Sequence, residues 1–405
     1  MKIPNALKTT PFHARTAPLI LGSTWRRWSG YAVASSYDWS HDREYAAIRN
    51  AAALIDVSPL HKYKLTGRDA GRLLDRIITR NVMKMQVGQV FYTPWCDAHG
   101  KVIDDGTVSR LAEQTYRLTS AEPALRFLHQ NAVGLQVQIE ETTEQIGALA
   151  LQGPLSRILL NQVAETPLDS LKYFRVASNR IAGVDVEISR TGYTGDLGYE
   201  IWVAADQAIP VWDALMAKGA DYGLAPAGIW ALDVARIEAG LVMADVDYHS
   251  SHRASIEDQK SSPFELSLDW AVNLDKEAFN GKRALKAEQA RAKKMNGYAW
   301  RFVGIEIEWS SFEALYKAVN LSAALPMIAW RASTPIYRNG KQIGYASSGV
   351  WSPLLKKYLA LAHIRAPHYA PDTPVEFEVT VEHRRKRANA WVRKTPFFDP
   401  QRKKA

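Results

Sequence analysis

Eleven consecutive residues, Arg190-Thr-Gly-Tyr193-Thr-Gly195-Asp-Leu-Gly198-Tyr199-Glu200, hold three glycines, two tyrosines and a closing glutamate after an alternating, strand-like run. Glycine lets the backbone approach a ligand and enter conformations closed to other residues; tyrosine offers a stacking face; an ionised carboxylate accepts hydrogen bonds from ring nitrogens. The set suits a flat, nitrogen-bearing ring. Three more segments have chemistry to offer: Gly100-Lys-Val-Ile-Asp104-Asp105-Gly106, Leu149-Ala-Leu-Gln152-Gly153-Pro154 and Arg236-Ile-Glu-Ala-Gly240-Leu241. Asp104 and Asp105 are adjacent on an expected strand, so their side chains point to opposite faces. They are therefore no acid/base pair: one faces a ligand and the other packs or meets solvent.

Other chemistries find less support. His249 and His252 are spaced as a metal pair on a helix would be, but no third ligand stands at suitable spacing, and no metal site is expected. No Gly-Xaa-Gly-Xaa-Xaa-Gly follows a strand, no phosphate-binding loop ending in Gly-Lys-Ser/Thr is present, and no nucleophile-elbow sequence occurs. The single cysteine, Cys96, excludes an intramolecular disulfide and a cysteine-based zinc site, and points to a reducing cytoplasm.

The elements that must position these residues are of both kinds. Residues 63–69 read as a strand running into a helix that Asp69 caps, with Ala70, Leu73, Leu74 and Ile77 as its apolar stripe. Two strands joined by the turn Asp97-Ala-His-Gly100 put Asp104 on a hairpin. A short apolar strand 149–152 leads into a helix 155–163 opened by Pro154. Two strands flank Gly183, a helix over 211–219 stops at glycine, and another covers 227–239. Residues 264–273 pattern as a strand, and the domain boundary is expected in the Lys-, Arg-, Ala- and Glu-rich stretch 281–296. Beyond it the chain reads as β: Asn339-Gly340 signals a type I′ hairpin, and 375–381 alternates as a strand with one wet face.

With 405 residues and 47% apolar content, the chain can build a sizeable core in two or three units. No targeting segment is expected from its sequence, and no apolar run is long enough to cross a membrane. Its formal charge is +9, with clusters at His383-Arg-Arg-Lys-Arg387 and Arg402-Lys-Lys404. Such runs are usually a solvated face or tail, and nucleic acid is not the expected partner.

Taken together, the four motifs resemble the folate-dependent aminomethyltransferase family, whose founding member is the T protein of the glycine cleavage system. The resemblance spans roughly residues 45 to 398 and takes in Trp270, Ser347-Ser-Gly-Val-Trp351 and Thr395-Pro-Phe-Phe398. It implies an α+β, multi-domain cloverleaf of mixed antiparallel sheets and helices, with a catalytic region over 1–290 and a β-barrel over 291–405. It also implies a tetrahydrofolate-dependent transferase that moves a methyl or methylene unit, with Asp104 as catalytic residue and Tyr92, Tyr173, Tyr193, Glu200, Arg236 and Trp270 toward the folate. The donor is then a lipoylated carrier protein or a small methylated molecule; a demethylase of small S-, N- or O-methyl compounds and a non-catalytic folate binder are the alternatives. The basic surplus can serve folate's glutamate tail, though charge alone does not choose between that and nucleic acid. Two positions depart from the family pattern. Leu232 stands where the first arginine of the helix motif belongs, so Arg236, one turn on, is expected to replace it partly or to pair with Asp233 or Glu238. Gly106 replaces a large apolar residue and is expected to open space beside the reacting group.

Overall fold

The computed structural model describes residues 7–405, which divide into two compact units. One comprises residues up to Thr93, Asp105–Ala235 and Pro400–Ala405; the other comprises Pro94–Asp104 and Arg236–Asp399. The units thus follow no single cut of the chain. The stretch expected to hold the boundary is a helix, Lys282–Met295, ended by Asn296 at φ 57°.

The first unit is built on a six-stranded sheet in the order Val176–Ile181, Val184–Ser189, Gly198–Ala204, Ile146–Gln152, Ala52–Asp56, Leu224–Pro226. Neighbours are antiparallel except the last pair. One face is closed by the helices Ser156–Val163 and Ala208–Gly219, whose Leu159, Leu160, Val211, Trp212 and Leu215 meet Leu149, Leu151, Ile188 and Ile201 in a dry core. Full burial of each such side chain stabilises the fold by about 1.5–3 kcal/mol. The second helix runs through Gly219 into a 3-10 turn and stops at Gly223, φ 65°.

A five-stranded sheet runs Val90–Cys96, Val102–Ala112, Thr115–Ser120, His61–Thr66, Gln138–Glu141. The helix Ala70–Ile77 follows its strand as expected, with Ala70, Leu73, Leu74 and Ile77 all buried. Asp69 sits at the N-cap without capping: its carboxylate accepts instead from Gln136 N at 2.8 Å and Arg72 Nη1 at 2.8 Å. The predicted turn is present, with Gly100 at φ 75° and its N–H donating to Asp97 O at 3.1 Å.

In the second unit six strands close a barrel: Trp300–Ile307, Lys357–Arg365, Lys341–Ser352, Thr334–Arg338, Pro374–Val381, Arg384–Arg393. Asn339 at φ 50° and Gly340 at φ 78° form the expected hairpin turn. The basic run 384–387 lies in a barrel strand, where Arg385 and Arg387 face Glu378 and Glu376 at 3.7 and 3.3 Å. The strand expected over 264–273 is absent; that segment is turns and a 3-10 helix, Asp269–Ala271. Nor is there a helix to pair His249 with His252, which lie in irregular and turn backbone.

Candidate functional site

The glycine-rich segment is a loop between the antiparallel strands Val184–Ser189 and Gly198–Ala204, and it is held from beneath by one side chain. Gln152, wholly buried at the end of strand Ile146–Gln152, donates through Nε2 to Thr191 O (3.2 Å) and Tyr199 O (3.3 Å) and accepts at Oε1 from Thr194 Oγ1 (2.9 Å). A Cβ at Gly192 or Gly198 would overlap the Gln152 amide. These two glycines therefore make room for a glutamine beneath the loop, a correction to the expectation that they serve a ligand's approach. Gly195 takes φ 73° and turns the chain. Beside it Asp196 receives a bidentate contact from Arg402 at 2.7 and 2.8 Å, and Arg49 donates to Thr194 O at 2.9 Å.

Glu200 is half-buried two residues into the following strand. Thr191 Oγ1 donates to its Oε2 at 2.6 Å, Ser189 and Thr191 share a hydrogen bond of 2.8 Å, and Trp202 Nε1 donates to Ser189 Oγ at 3.2 Å. Burial pushes the Glu200 pKa up, opposed by the Thr191 hydroxyl and by the charge of Arg117. Arg117 is itself buried, ion-paired with Glu187 and laid over the Trp202 ring at 4.2 Å. Tyr193 is half-buried on the loop, whereas Tyr199 is fully buried, its hydroxyl accepting from Arg157 Nε at 3.0 Å, and belongs to the core. Tyr92 is half-buried within strand Val90–Cys96; Tyr173 is half-buried and packs edge-on to Phe174, ring centres 4.6 Å apart.

In the second unit Asp104 is buried, with 2% of its surface exposed, and accepts from the Tyr248 hydroxyl at 3.3 Å. Asp105, of the first unit, is half-exposed. Burial along the strand does not alternate here, since Val102, Ile103 and Asp104 are all covered. Next to Tyr248 stands Asp247, a hub: Oδ2 accepts from Arg236 Nη1 at 2.6 Å and Met243 N at 2.9 Å, and Oδ1 from the hydroxyls of Ser347 at 2.5 Å and Ser348 at 2.9 Å. Its carbonyl accepts from His363 Nε2 at 2.6 Å, and burial keeps that imidazole's pKa low.

This overturns one expectation. Arg236 and Asp247 are both fully buried and pair at 2.6 Å, so the guanidinium is met within the protein by a residue eleven positions on and is not exposed to take the place of the missing arginine. Leu232 is buried as well. Gly106 likewise opens no space, because a Cβ there would strike the carbonyl oxygen of Thr119 on the neighbouring strand. Trp270, 59% exposed, presents its ring at the surface of the second unit. Sequence reasoning missed Arg117, Asp247 and Tyr248 and gave Gln152 no role. Only Gln152 had a signal, its place in a motif beside glycines.

Comparison with known proteins shows the family of the chain. Residues 12–276 match the model of the GCVT N-terminal domain, and residues 318–399 that of the glycine cleavage T-protein C-terminal barrel domain. An aminomethyltransferase of Halothermothrix orenii is 33% identical over 384 residues, which cover 93% of this chain and 97% of the relative. A trimethylamine-oxide aldolase of Ruegeria pomeroyi is 32% identical over 98% of this chain but only 48% of the relative. The solved aminomethyltransferase T of the Bartonella henselae glycine cleavage system superposes with a TM-score of 0.81 at 22% identity, covering 97% of this chain and 99% of that one, and so shares the fold. The molecule is thus a folate-dependent one-carbon transferase of mixed α and β structure with a C-terminal barrel. The chain belongs to the glycine cleavage T-protein, or aminomethyltransferase, family, and its cofactor is tetrahydrofolate.

Proposed function

We propose that this aminomethyltransferase holds the pterin with Glu200 and Tyr193 and uses Asp104 to stabilise the charge that develops as the one-carbon unit moves. Glu200 carries the reading. A carboxylate held partly out of water is unfavourable unless hydrogen-bonded, and the Thr191 and Arg117 contributions offset only part of its desolvation. A ring with adjacent N–H donors completes the set through two charge-assisted bonds. The half-buried Tyr193 on the braced loop supplies a face for stacking, so the residues present fit a pterin. Tyr92, Tyr173 and the exposed Trp270 are kept as further contacts; Arg236 is not.

Tetrahydrofolate supplies the nucleophilic nitrogen that accepts the carbon unit. The chain's task is to align it, and alignment of this kind is worth roughly 7–11 kcal/mol of barrier. The Tyr248 hydroxyl, donating to Asp104, fixes the direction of a buried carboxylate whose charge acts in a low dielectric. The proposed donor is the aminomethyl group of a lipoylated carrier protein, and the proposed setting is the cytoplasm. A second reading, demethylation of a small methylated compound, is favoured by one observation: the buried Leu232 lacks the charge that the family pattern carries there.

The test supplies tetrahydrofolate with either an aminomethyl-loaded lipoyl carrier or a panel of methylated amines, sulfides and ethers, and identifies the folate product. Methylene-tetrahydrofolate from the carrier supports the first reading. Product from the small donors alone moves the assignment to the second, and folate binding without product from any donor would refute catalysis.

A further inference from the structure

At one end of the barrel lies a concavity lined by none of the residues assigned to one-carbon transfer. It occupies about 380 Å³ between the hairpin tip at 338–342 and the segment 365–368, and is lined by Arg338, Asn339, Lys341, Gln342, Arg365 and His368 over a floor that includes the buried Ile343. Three of these side chains are permanent cations and none is a carboxylate. Several other barrel cations are matched: Arg385 faces Glu378 at 3.7 Å, Arg387 faces Glu376 at 3.3 Å, and Lys357 and Arg393 share Glu306 at 3.0 and 2.9 Å. Among the described residues Arg338, Lys341 and Arg365 have no such ion pair.

Unmatched like charges repel and would splay into solvent unless something held them, and both arginines are held. Arg338 Nη1 lies 3.2 Å from His368 Nδ1, to which it donates. Arg365 is laid over the Trp300 ring at 4.7 Å, which fixes the plane of its guanidinium. Two planar forks with a mobile ammonium beside them match oxyanions, each fork taking a carboxylate or phosphate group in two parallel hydrogen bonds. The volume lies within the range of small-molecule pockets, which extends from roughly 300 to 1,000 Å³.

We propose that this cavity is a binding site for a small oligoanion, a molecule carrying two or more neighbouring phosphate or carboxylate groups. The site is separate from the residues assigned to one-carbon transfer and does not depend on that assignment.

Calorimetric titration of the full chain with inorganic tripolyphosphate and, separately, with triglutamate tests it. The expected result is saturable one-to-one binding that weakens as salt rises. Arg338→Ala and Arg365→Ala should each lower affinity at least about tenfold, the size of one lost charge-assisted contact. Arg385→Ala, which lies outside the cavity lining and whose partner is Glu378, should leave affinity within about twofold, since an already matched, exposed charge contributes little. Binding of tripolyphosphate alone marks a phosphorylated ligand, binding of triglutamate alone a polycarboxylate, and binding of both a site that selects by charge. The proposal is overturned if neither anion binds saturably, or if Arg385→Ala weakens binding as much as the two cavity substitutions. Each variant's thermal midpoint is measured alongside; loss of affinity counts only at an unchanged midpoint, and Arg338→Lys, which keeps the charge but not the fork, gives a second reading through its smaller, partial loss.

Discussion

Glu200→Gln gives the sharpest test of how folate is recognised. Burial raises the Glu200 pKa above the ordinary carboxylate range, while a ring presenting N–H donors needs the ionised form. Below the raised pKa the carboxyl must release its proton before folate binds, so affinity should climb about tenfold per pH unit, about 1.4 kcal/mol, and level off above it. Stability has the opposite sign. A folded-state pKa above the unfolded one contributes stability at low pH that is lost as pH rises through the folded pKa, so above that pKa the free protein bears a desolvated charge. Glutamine keeps an acceptor for the Thr191 hydroxyl but loses that charge. Hydrogen bonds to a charged group are worth about 1.5–3 kcal/mol against about 0.5–1.5 for neutral ones, so two bonds to the pterin lose about 2–3 kcal/mol, or roughly 30- to 160-fold in affinity. Titration calorimetry in two buffers of different ionisation enthalpy counts the protons released; the wild type should release more than the variant at pH values below its raised pKa, while the ligand-free variant melts no lower above it. Equal proton release in the two proteins, or undiminished affinity in the variant, would place the pterin elsewhere and refute the assignment.

Other substitutions separate chemistry from scaffolding. Asp104→Asn should lower turnover by about 10²–10³ with little change in folate affinity, whereas Asp105→Asn should affect mainly stability; steady-state kinetics with folate titration decide, and equal turnover losses would defeat the distinction. Tyr248→Phe removes one hydrogen bond to the Asp104 carboxylate and should reduce kcat by about 13- to 160-fold with KM for folate unchanged. Arg236→Ala should destabilise the fold by about 3–5 kcal/mol by leaving Asp247 charged and buried without its partner; denaturant unfolding measures this, and a stable variant with weakened folate binding would return Arg236 to the ligand. Gln152→Ala strips three hydrogen bonds from the glycine-rich loop and should lower stability by at least about 1–3 kcal/mol, with greater hydrogen exchange at 191–199.

The sequence determined those features whose cause lies within a few residues. The hairpin at Asn339-Gly340 needs only two residues able to take positive φ, and the stripe of Ala70, Leu73, Leu74 and Ile77 needs only helical spacing; both were legible, as were the turn before Asp104 and the motifs that resemble the T-protein family. What the tertiary structure decided are partnerships formed between distant parts of the chain. Arg236 pairs with Asp247, which also gathers Ser347 and Ser348 from a hundred positions away, because a buried charge must be neutralised by whatever residue the fold carries to it. Gly192 and Gly198 are small because Gln152 arrives beneath them on a neighbouring strand, and Gly106 because the Thr119 carbonyl does; the sequence displays such glycines but not what fills the space beside them. Residues 264–273 carry a strand's alternation yet form turns, since a period of two becomes a strand only where another edge is present to receive its hydrogen bonds. Tyr248 reaches Asp104 across 144 positions with no local pattern to mark either as the other's partner, so that contact belongs to the fold alone.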